Sequence, residues 1–398
     1  MRILWILPYL PWPTSSGGKT RQYHLLRSLA EAGHRITLLA QSKTPLDDEA
    51  RAHLEPLLER LLVLPRRPLR SAATLGAALL APYPLLASVN GLAPRLQRQF
   101  RELLDESWDV VQIEHSYSFQ PYEAELGRRR VPFVLTEHNV ESSLGAATYD
   151  RLPTWLAPFA YYDQWRYRRW ERRVLRQAER VIAVTADDAA VLAPLCGRPT
   201  DVVVNGVDCR HYAEVQADAQ AQRLLFVGNF EYAPNVDAVG WALDELLPEL
   251  WRHRPQLRFA ICGHAVPPAW RQRWPDPRIE WHGFVADLRG QQRRASLFVA
   301  PLRQGGGSKL KVLEAMAAGL PVVTTGQGAS GLQVADGVHY ARAETAQAFV
   351  ANILALLDDP RRAAALGEAG RRYVQGAHDW SVAARSLEAI YARLEARA

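Results

Sequence analysis

Leu297-Phe-Val-Ala-Pro-Leu-Arg-Gln-Gly-Gly-Gly-Ser-Lys-Leu-Lys-Val-Leu-Glu-Ala-Met-Ala-Ala-Gly-Leu-Pro-Val-Val323 reads as one supersecondary unit. Residues 296–301 are a short apolar strand, 302–308 a glycine-rich turn, a helix starts near Lys309, and 321–325 form the next strand. That order makes a crossover between parallel strands, and the near-continuous apolar runs suit strands buried on both faces. Glycines 305, 306 and 307 let backbone amides approach whatever lies over the helix end, and a helix N-terminus favours an anion. Arg303, Lys309 and Lys311 bracket these glycines; arginine matches phosphate as a fork and lysine as a point charge. A diphosphate is the natural occupant. Glu314 lies five residues after Lys309, too far into the helix to cap it, among Val312, Leu313, Ala315 and Met316. A carboxylate there can accept the hydroxyls of a ribose.

Outward from this unit the same alternation fills the chain. Strands are expected at 2–8, 35–40, 109–113, 132–137, 180–185 and 201–205, then at 223–228, 257–263 and 279–284. Helical segments at 20–32, 171–178 and 236–252 supply crossovers, so the fold class is α/β with doubly wound sheets. The pattern breaks at 206–222, where Asn205-Gly206-Val207-Asp208 is turn chemistry and the following Ala/Gln-rich stretch is polar. The expected domains are therefore 1–210 and 211–378, followed by an amphipathic helix over 379–398. Two open sheets joined this way place ligands at the carboxyl edges of their strands.

With 398 residues there is ample core for two domains, and 48% hydrophobic with 23% charged residues excludes a disordered chain. Three cysteines, 196, 209 and 262, show no paired spacing, which fits a reducing compartment and argues against a zinc ribbon. A charge of +6 without a recognition motif argues against nucleic acid as partner. Only four of 48 basic residues are lysine, and Lys19, Lys309 and Lys311 all stand beside glycine clusters. The apolar start, Met1–Leu10, is broken by Pro8 and reads as a first strand, not a leader; a cytoplasmic protein is expected. No run of about 18 apolar residues is present to span a bilayer. Two stretches suit peripheral contact with an anionic membrane: 72–86, with basic flanks, and the Arg-covered aromatic segment 161–176.

In the first half, Gly17-Gly18-Lys19-Thr20 follows a strand and opens a helix. It lacks the first glycine of an ATP-hydrolysing phosphate loop, where Pro13 stands, but Gly17 and Gly18 still allow close backbone approach to a ligand. Glu114-His115 and Glu137-His138 end strands whose carboxyl edges face the ligand crevice, which makes Glu114, His115 and His138 the catalytic candidates. Which of Glu114 and His115 terminates its strand stays open by one residue.

The segment 301–323 resembles the donor-binding signature of GT-B glycosyltransferases, specifically the retaining family 4. Supporting matches are Val227-Gly228-Asn-Phe-Glu-Tyr-x-Pro-Asn-x-Asp-Ala238, Cys262-Gly263-His264, His282-Gly283-Phe284-Val285-x-Asp287, Asn205-Gly206-Val207-Asp208 and Gly33-His34-Arg35-Ile36. The resemblance spans essentially the whole chain. It implies two Rossmann-like domains, a nucleotide-sugar donor held mainly by the second and an acceptor held mainly by the first, with the last helix crossing back. It makes Glu114, His115 and His138 acceptor- or sugar-facing groups, Glu314 the ribose ligand, and Phe284-Val285 the segment along the base. Asn229, Gly306, Gly307, Arg303 and Lys309 complete the donor set.

The chain departs from the family pattern in two places. Gly306 stands where many members carry a first glutamate, and Asn229 and Asn235 stand where arginine and lysine are common. The phosphate cations have moved to Arg303, Lys309 and Lys311, which matches the Gly-x-Gly-x-Lys-x-Lys signature of exopolysaccharide-type sugar transferases. The resemblance implies front-face transfer with the leaving phosphate helping to take the acceptor proton. No Asp-x-Asp motif occurs, which fits metal-independent catalysis. The expected cofactor is none beyond a UDP-, GDP- or dTDP-sugar, with UDP favoured, the acceptor is a glycan or lipid-linked acceptor, and the protein is expected in the cytoplasm, at the inner face of the cytoplasmic membrane. A phosphorylase, an epimerase or a non-catalytic sugar-nucleotide binder shares the same fold and remains open from sequence.

Overall fold

A computed structural model describes residues 1–66, 76, 81, 83–91, 93–142, 157–305 and 309–395. The chain divides into two compact units, Met1–Val204 with Ala383–Ala398, and Asn205–Val382.

The first unit is built on a seven-stranded sheet whose strands all pair in parallel. The strands are β1 (Arg2–Leu7), β2 (Arg35–Ser42), β3 (Arg60–Pro65), β4 (Val110–Glu114), β5 (Val134–Glu137), β6 (Arg180–Ala183) and β7 (Asp201–Val202), in the order β3-β2-β1-β4-β5-β6-β7. Ile3 through Leu7 have no exposed surface, which is why β1 reads as an unbroken apolar run at the sheet centre. β4 interrupts that rule: Gln112 and Glu114, two residues apart and so on one face, are buried beside Val111 and Ile113. β3 is absent from the strands expected on sequence. It is an edge strand with every residue half-buried or exposed, so its sequence carries no strong inward signal.

The second unit repeats the plan with six parallel strands. They are β8 (Arg223–Val227), β9 (Arg258–Cys262), β10 (Ile279–Trp281), β11 (Leu297–Ala300), β12 (Val322–Thr324) and β13 (Ala341–Arg342), ordered β10-β9-β8-β11-β12-β13. The stretch 206–222, a polar break on sequence, is partly core: Val207, Cys209, Tyr212 and Val215 pack into this unit's hydrophobic cluster. Their spacing follows no single helix or strand period, which hides them. The helix expected over 236–252 is in fact Ala233–Trp241, a π-helical turn at Ala242–Leu246, and Leu247–His253.

Two long helices complete the first unit, the second of them from Ala383 onward. Ala157–Gln177 carries the whole aromatic-basic segment. Trp170 is buried beneath it, while Tyr161, Tyr162 and Trp165 stay exposed, with Arg169 stacked 4.9 Å from the Trp165 ring. Most of 72–86 lies outside the described residues. The last helix, Trp380–Glu395, buries Leu387, Ile390 and Tyr391. Among the described residues no helix is long and apolar enough to cross a membrane.

Candidate functional site

In each sheet the strand order reverses beside the first strand of the set, between β1 and β4 and between β8 and β11. Ligands of open α/β sheets bind outside the carboxyl ends of the strands at such a reversal. Both candidate clusters lie there.

In the first unit, β4 ends at Glu114 and His115 follows it with a φ of 66°, a backbone region that a non-glycine residue seldom occupies. Glu114 is fully buried and its carboxylate is saturated. Gln112 Nε2 donates to Oε1 at 2.8 Å, while Gln22 Nε2 at 2.6 Å and His138 Nε2 at 2.8 Å converge on Oε2. Burial alone would raise this carboxyl, but the hydrogen bond from His138 and the charge of Arg21 help hold it below the ordinary range. A carboxylate only accepts, so His138 carries its proton on Nε2 and presents Nδ1 as a lone pair. Burial pushes the His138 imidazolium down to about 4, which keeps the ring neutral near pH 7.

The helix Gly17–Glu31 closes this cluster because two polar residues sit on its buried face. Gln22 accepts from Trp5 Nε1 at 2.9 Å through Oε1, which turns its amide nitrogen toward Glu114. Arg21, buried, donates to the Val204 carbonyl at 3.1 Å. Gly18 is needed for closeness: a Cβ there would stand 3.1 Å from Tyr9 Oη and 3.5 Å from His138 Nδ1. Gly17 is exposed at the helix start. His115 lies 4.2 Å from His138 between ring centroids, stacks on Tyr117, and has Nε2 3.2 Å from Tyr9 Oη. Glu114, His115, His138 and Gly18 therefore come together. Tyr9, Gln22 and Gln112 join them although sequence reasoning does not single them out. Tyr9 stands just past the end of β1, and Gln112 is the polar break inside an apolar strand, signals that could have found both.

In the second unit, Lys309 is the N-cap of helix Leu310–Ala317, and its Nζ donates to the Gly305 carbonyl at 3.0 Å. Gly305 has a φ of +118°, and a Cβ there would meet Tyr232 Oη at 3.1 Å and Pro234. Lys311 Nζ donates to Asn235 Oδ1 and lies 5.0 Å from the Phe226 ring centre. Burial, then the Lys309 charge, lowers Lys311 to about 8, with Glu314 opposing. Glu314 keeps some surface open, yet loss of solvation lifts its carboxyl to about 7 against the pull of Lys311. Asn235 also donates to the Asn229 carbonyl at 2.7 Å, so the asparagines standing where cations are common tie the end of β8 to the helix that follows β11.

Arg303 is turned onto Asp237, with Nε 3.1 Å from Oδ2, and over the Trp241 ring. Phe284 is 76% exposed, and Val285 packs against the unit's core. Burial, and then the charges of Glu314 and Asp287, raises the Tyr212 hydroxyl above its ordinary range. Gly306 and Gly307 lie outside the described residues.

Two wound sheets with sites at their strand-order reversals define the class: this is the GT-B fold of glycosyltransferases. The family described as Glycosyltransferase Family 4 matches residues 15–211, and that described as Glycosyl transferases group 1 matches 221–359. The chain belongs to these family 4 glycosyltransferases, whose reaction is glycosyl transfer. It is 26% identical to a glycogen synthase of Mycobacterium tuberculosis over 98% of this chain and 94% of that one. It is 27% identical to the lipopolysaccharide core biosynthesis mannosyltransferase LpsB of Rhizobium meliloti, over 59% of this chain and 72% of that one. Among solved structures, Anabaena Alr3699/HepE in complex with UDP and glucose aligns with a TM-score of 0.63 at 16% identity, over 99% of this chain and 100% of that one.

Proposed function

We infer that the protein moves a sugar from a nucleoside-diphosphate sugar to a glycan or lipid-linked acceptor, with retention at the anomeric carbon and no metal on the diphosphate. One observation carries this reading: Lys309, Lys311 and Glu314 gather on the first turns of helix Leu310–Ala317, at the strand-order reversal of the second sheet. The lysines and the helix end offset the charge of a departing diphosphate. Arg303 joins them on leaving Asp237, and Gly306, Gly307 and Asn229 offer backbone and amide groups. Glu314 accepts the ribose hydroxyls, and Phe284 and Val285 lie along the base. UDP is the favoured nucleotide, supported by the Anabaena protein solved with UDP and glucose.

In the first unit Glu114 fixes the His138 tautomer, and Nδ1 then accepts a hydrogen bond from a sugar hydroxyl. His115, with Gly17 and Gly18, shapes the same pocket. The reading extends to surface-glycan synthesis at an anionic membrane. It is supported by the name of the Rhizobium relative and by the exposed Tyr161, Tyr162 and Trp165 on an arginine-covered helix.

The test is nucleoside-diphosphate release and thermal shift with UDP-, GDP- and dTDP-sugars. One donor binds, and Lys309→Ala and Glu314→Ala each weaken it about 10–100-fold, the loss of a charge-assisted hydrogen bond. NMR of the product shows the donor's anomeric configuration. Absence of binding to every donor, or unchanged affinity in both variants, refutes the assignment.

A further inference from the structure

Behind the Glu114–His138 pair, the far side of His115 meets carboxylates that the transfer reaction leaves unused. Glu137, the last residue of β5, is fully buried. Its Oε1 accepts from the Ser116 amide at 2.9 Å, while Oε2 is buried without a hydrogen-bond partner. His115 is 5% exposed, and its Nδ1 is likewise buried without a hydrogen-bond partner, 3.6 Å from Glu141 Oε1. One ligand atom from each of His115, Glu137 and Glu141 lies within 4.8 Å of the others. Glu171, also fully buried, faces them from helix Ala157–Gln177, with Oε1 accepting from the Ser142 amide at 3.2 Å and Oε2 unpartnered.

Among the described residues, carboxylates crowd this pocket: Glu137, Glu141 and Glu171. Two of their oxygens, Glu137 Oε2 and Glu171 Oε2, are buried with no hydrogen-bond partner among the described residues. Buried carboxylates without a cation are costly, since each unpaired charge forfeits its hydration. A protein solves this by protonation or by binding a cation.

We propose that His115 Nδ1, Glu137 and Glu141 hold a divalent transition cation, Zn2+ or Mn2+, with Glu171 as an outer carboxylate. One imidazole nitrogen and two carboxylate oxygens is a donor set for such ions, less suited to the all-oxygen shells of Mg2+ or Ca2+. Nitrogen and oxygen ligands at about 2.0–2.2 Å from a metal stand roughly 3–4 Å from one another. The His115–Glu141 separation of 3.6 Å already fits, and modest side-chain rotation closes the rest. The cation would orient His115, whose other nitrogen faces Tyr9 Oη at 3.2 Å. Its ligands all belong to the first unit, and Lys309 and Lys311 to the second.

The experiment uses the full chain, freed of metal with a chelator and titrated with Zn2+ or Mn2+ by calorimetry and thermal shift. One equivalent binds and raises the Tm, while Mg2+ and Ca2+ at the same concentration bind at least tenfold more weakly. Glu137→Gln and Glu141→Gln each weaken binding by at least tenfold, because even outer partners of a metal are worth about 10–100-fold. The glutamine is isosteric and removes a carboxylate from a like-charged cluster, so the metal-free Tm of Glu137→Gln is unchanged or higher. His253→Ala, which removes an exposed histidine 3.4 Å from Glu249, leaves binding unchanged, so that surface pair is not its source. The proposal falls if the wild type binds neither cation saturably, or if both glutamine variants retain its affinity. A wild-type Tm insensitive to cations but rising on acidification, with the rise lost in Glu137→Gln, also overturns it and assigns the pocket to shared protons.

Discussion

Glu314 and Lys311 place two opposite titrations close together in the free enzyme. Below about 7 the Glu314 carboxylate takes up a proton and loses the charge that accepts ribose hydroxyls; above about 8 Lys311 loses the charge that meets the diphosphate. Because kcat/KM reports groups of the free enzyme, its pH profile for the donor is a narrow bell with limbs near those values. Glu314→Gln removes the acid limb, and Lys311→Arg carries the alkaline limb out of range because a guanidinium keeps its proton. An acid limb that persists unchanged in Glu314→Gln contradicts this role. Stability moves the other way. The folded chain binds the Glu314 proton more tightly than the unfolded chain, so its contribution grows as pH falls from about 7 toward the ordinary carboxyl range. An activity limb and a stability change of opposite sign at one pH are hard to obtain from general unfolding. Lys309, Lys311 and Glu314 were readable because lysine is rare here and the glycines mark the turn. Asn235 was not readable as their partner, since an asparagine six residues beyond Asn229 looks like turn chemistry until the fold brings Lys311 onto it.

At the level of elements, the central strands were legible, as were the edge strands β7 and β10, while β3 and β13 were not. β1 and β11 are buried almost throughout, so burial writes continuous apolar runs into them, while β4 carries the same run broken by Gln112 and Glu114; β3 and β13 lie at sheet edges, where one side needs no apolar residue. The helix Ala157–Gln177 shows the same limit in another form. Its sequence alternates aromatic and arginine, which fits either a packed or a presented face, and both occur. Trp170, Val174 and Leu175 go into the core, while Tyr161, Tyr162 and Trp165 remain outside beside exposed Arg168, Arg169, Arg172 and Arg173. Exposed aromatic rings next to cations suit the headgroup region, where each basic residue near an anionic surface contributes about 1 kcal/mol. Replacing Arg168, Arg169, Arg172 and Arg173 with glutamine should therefore reduce co-sedimentation with phosphatidylglycerol vesicles by about two orders of magnitude or more, with binding to neutral phosphatidylcholine vesicles unaffected. Arg173 also pairs with Glu123 at 2.8 Å, so a circular dichroism melt accompanies the measurement. Equal vesicle binding by the wild type and the folded quadruple variant removes the membrane from the reading.

At the scale of the whole chain, the first unit's site depends on the chain's far end. Tyr391 in the last helix donates to Gln112 Oε1 at 3.0 Å, and Gln112 Nε2 in turn donates to Glu114 Oε1 and to Thr136 Oγ1 at 2.7 Å. The glutamine has no exposed surface, so its amide orientation is set entirely by these partners. With the Tyr391 hydroxyl gone, Oε1 is left buried without a donor, a loss of about 1–3 kcal/mol, and the amide no longer has a reason to hold Nε2 toward Glu114. A chain of two units need not unfold in one step, so a single melting temperature is a poor reporter. Amide hydrogen exchange is local: Tyr391→Phe should speed exchange of β1 and β4 amides about 5–30-fold, the factor for one to two kcal/mol, and leave β8 and β11 unchanged. His34 and Glu388, 2.7 Å apart and partly exposed, join the same helix to the same unit. Glu388→Gln is the contrast, because a solvated pair is worth about 1 kcal/mol or less. If Tyr391→Phe exchanges no faster than Glu388→Gln, the buried network does not run through the last helix, and Glu114 is held by Gln22 and His138 alone.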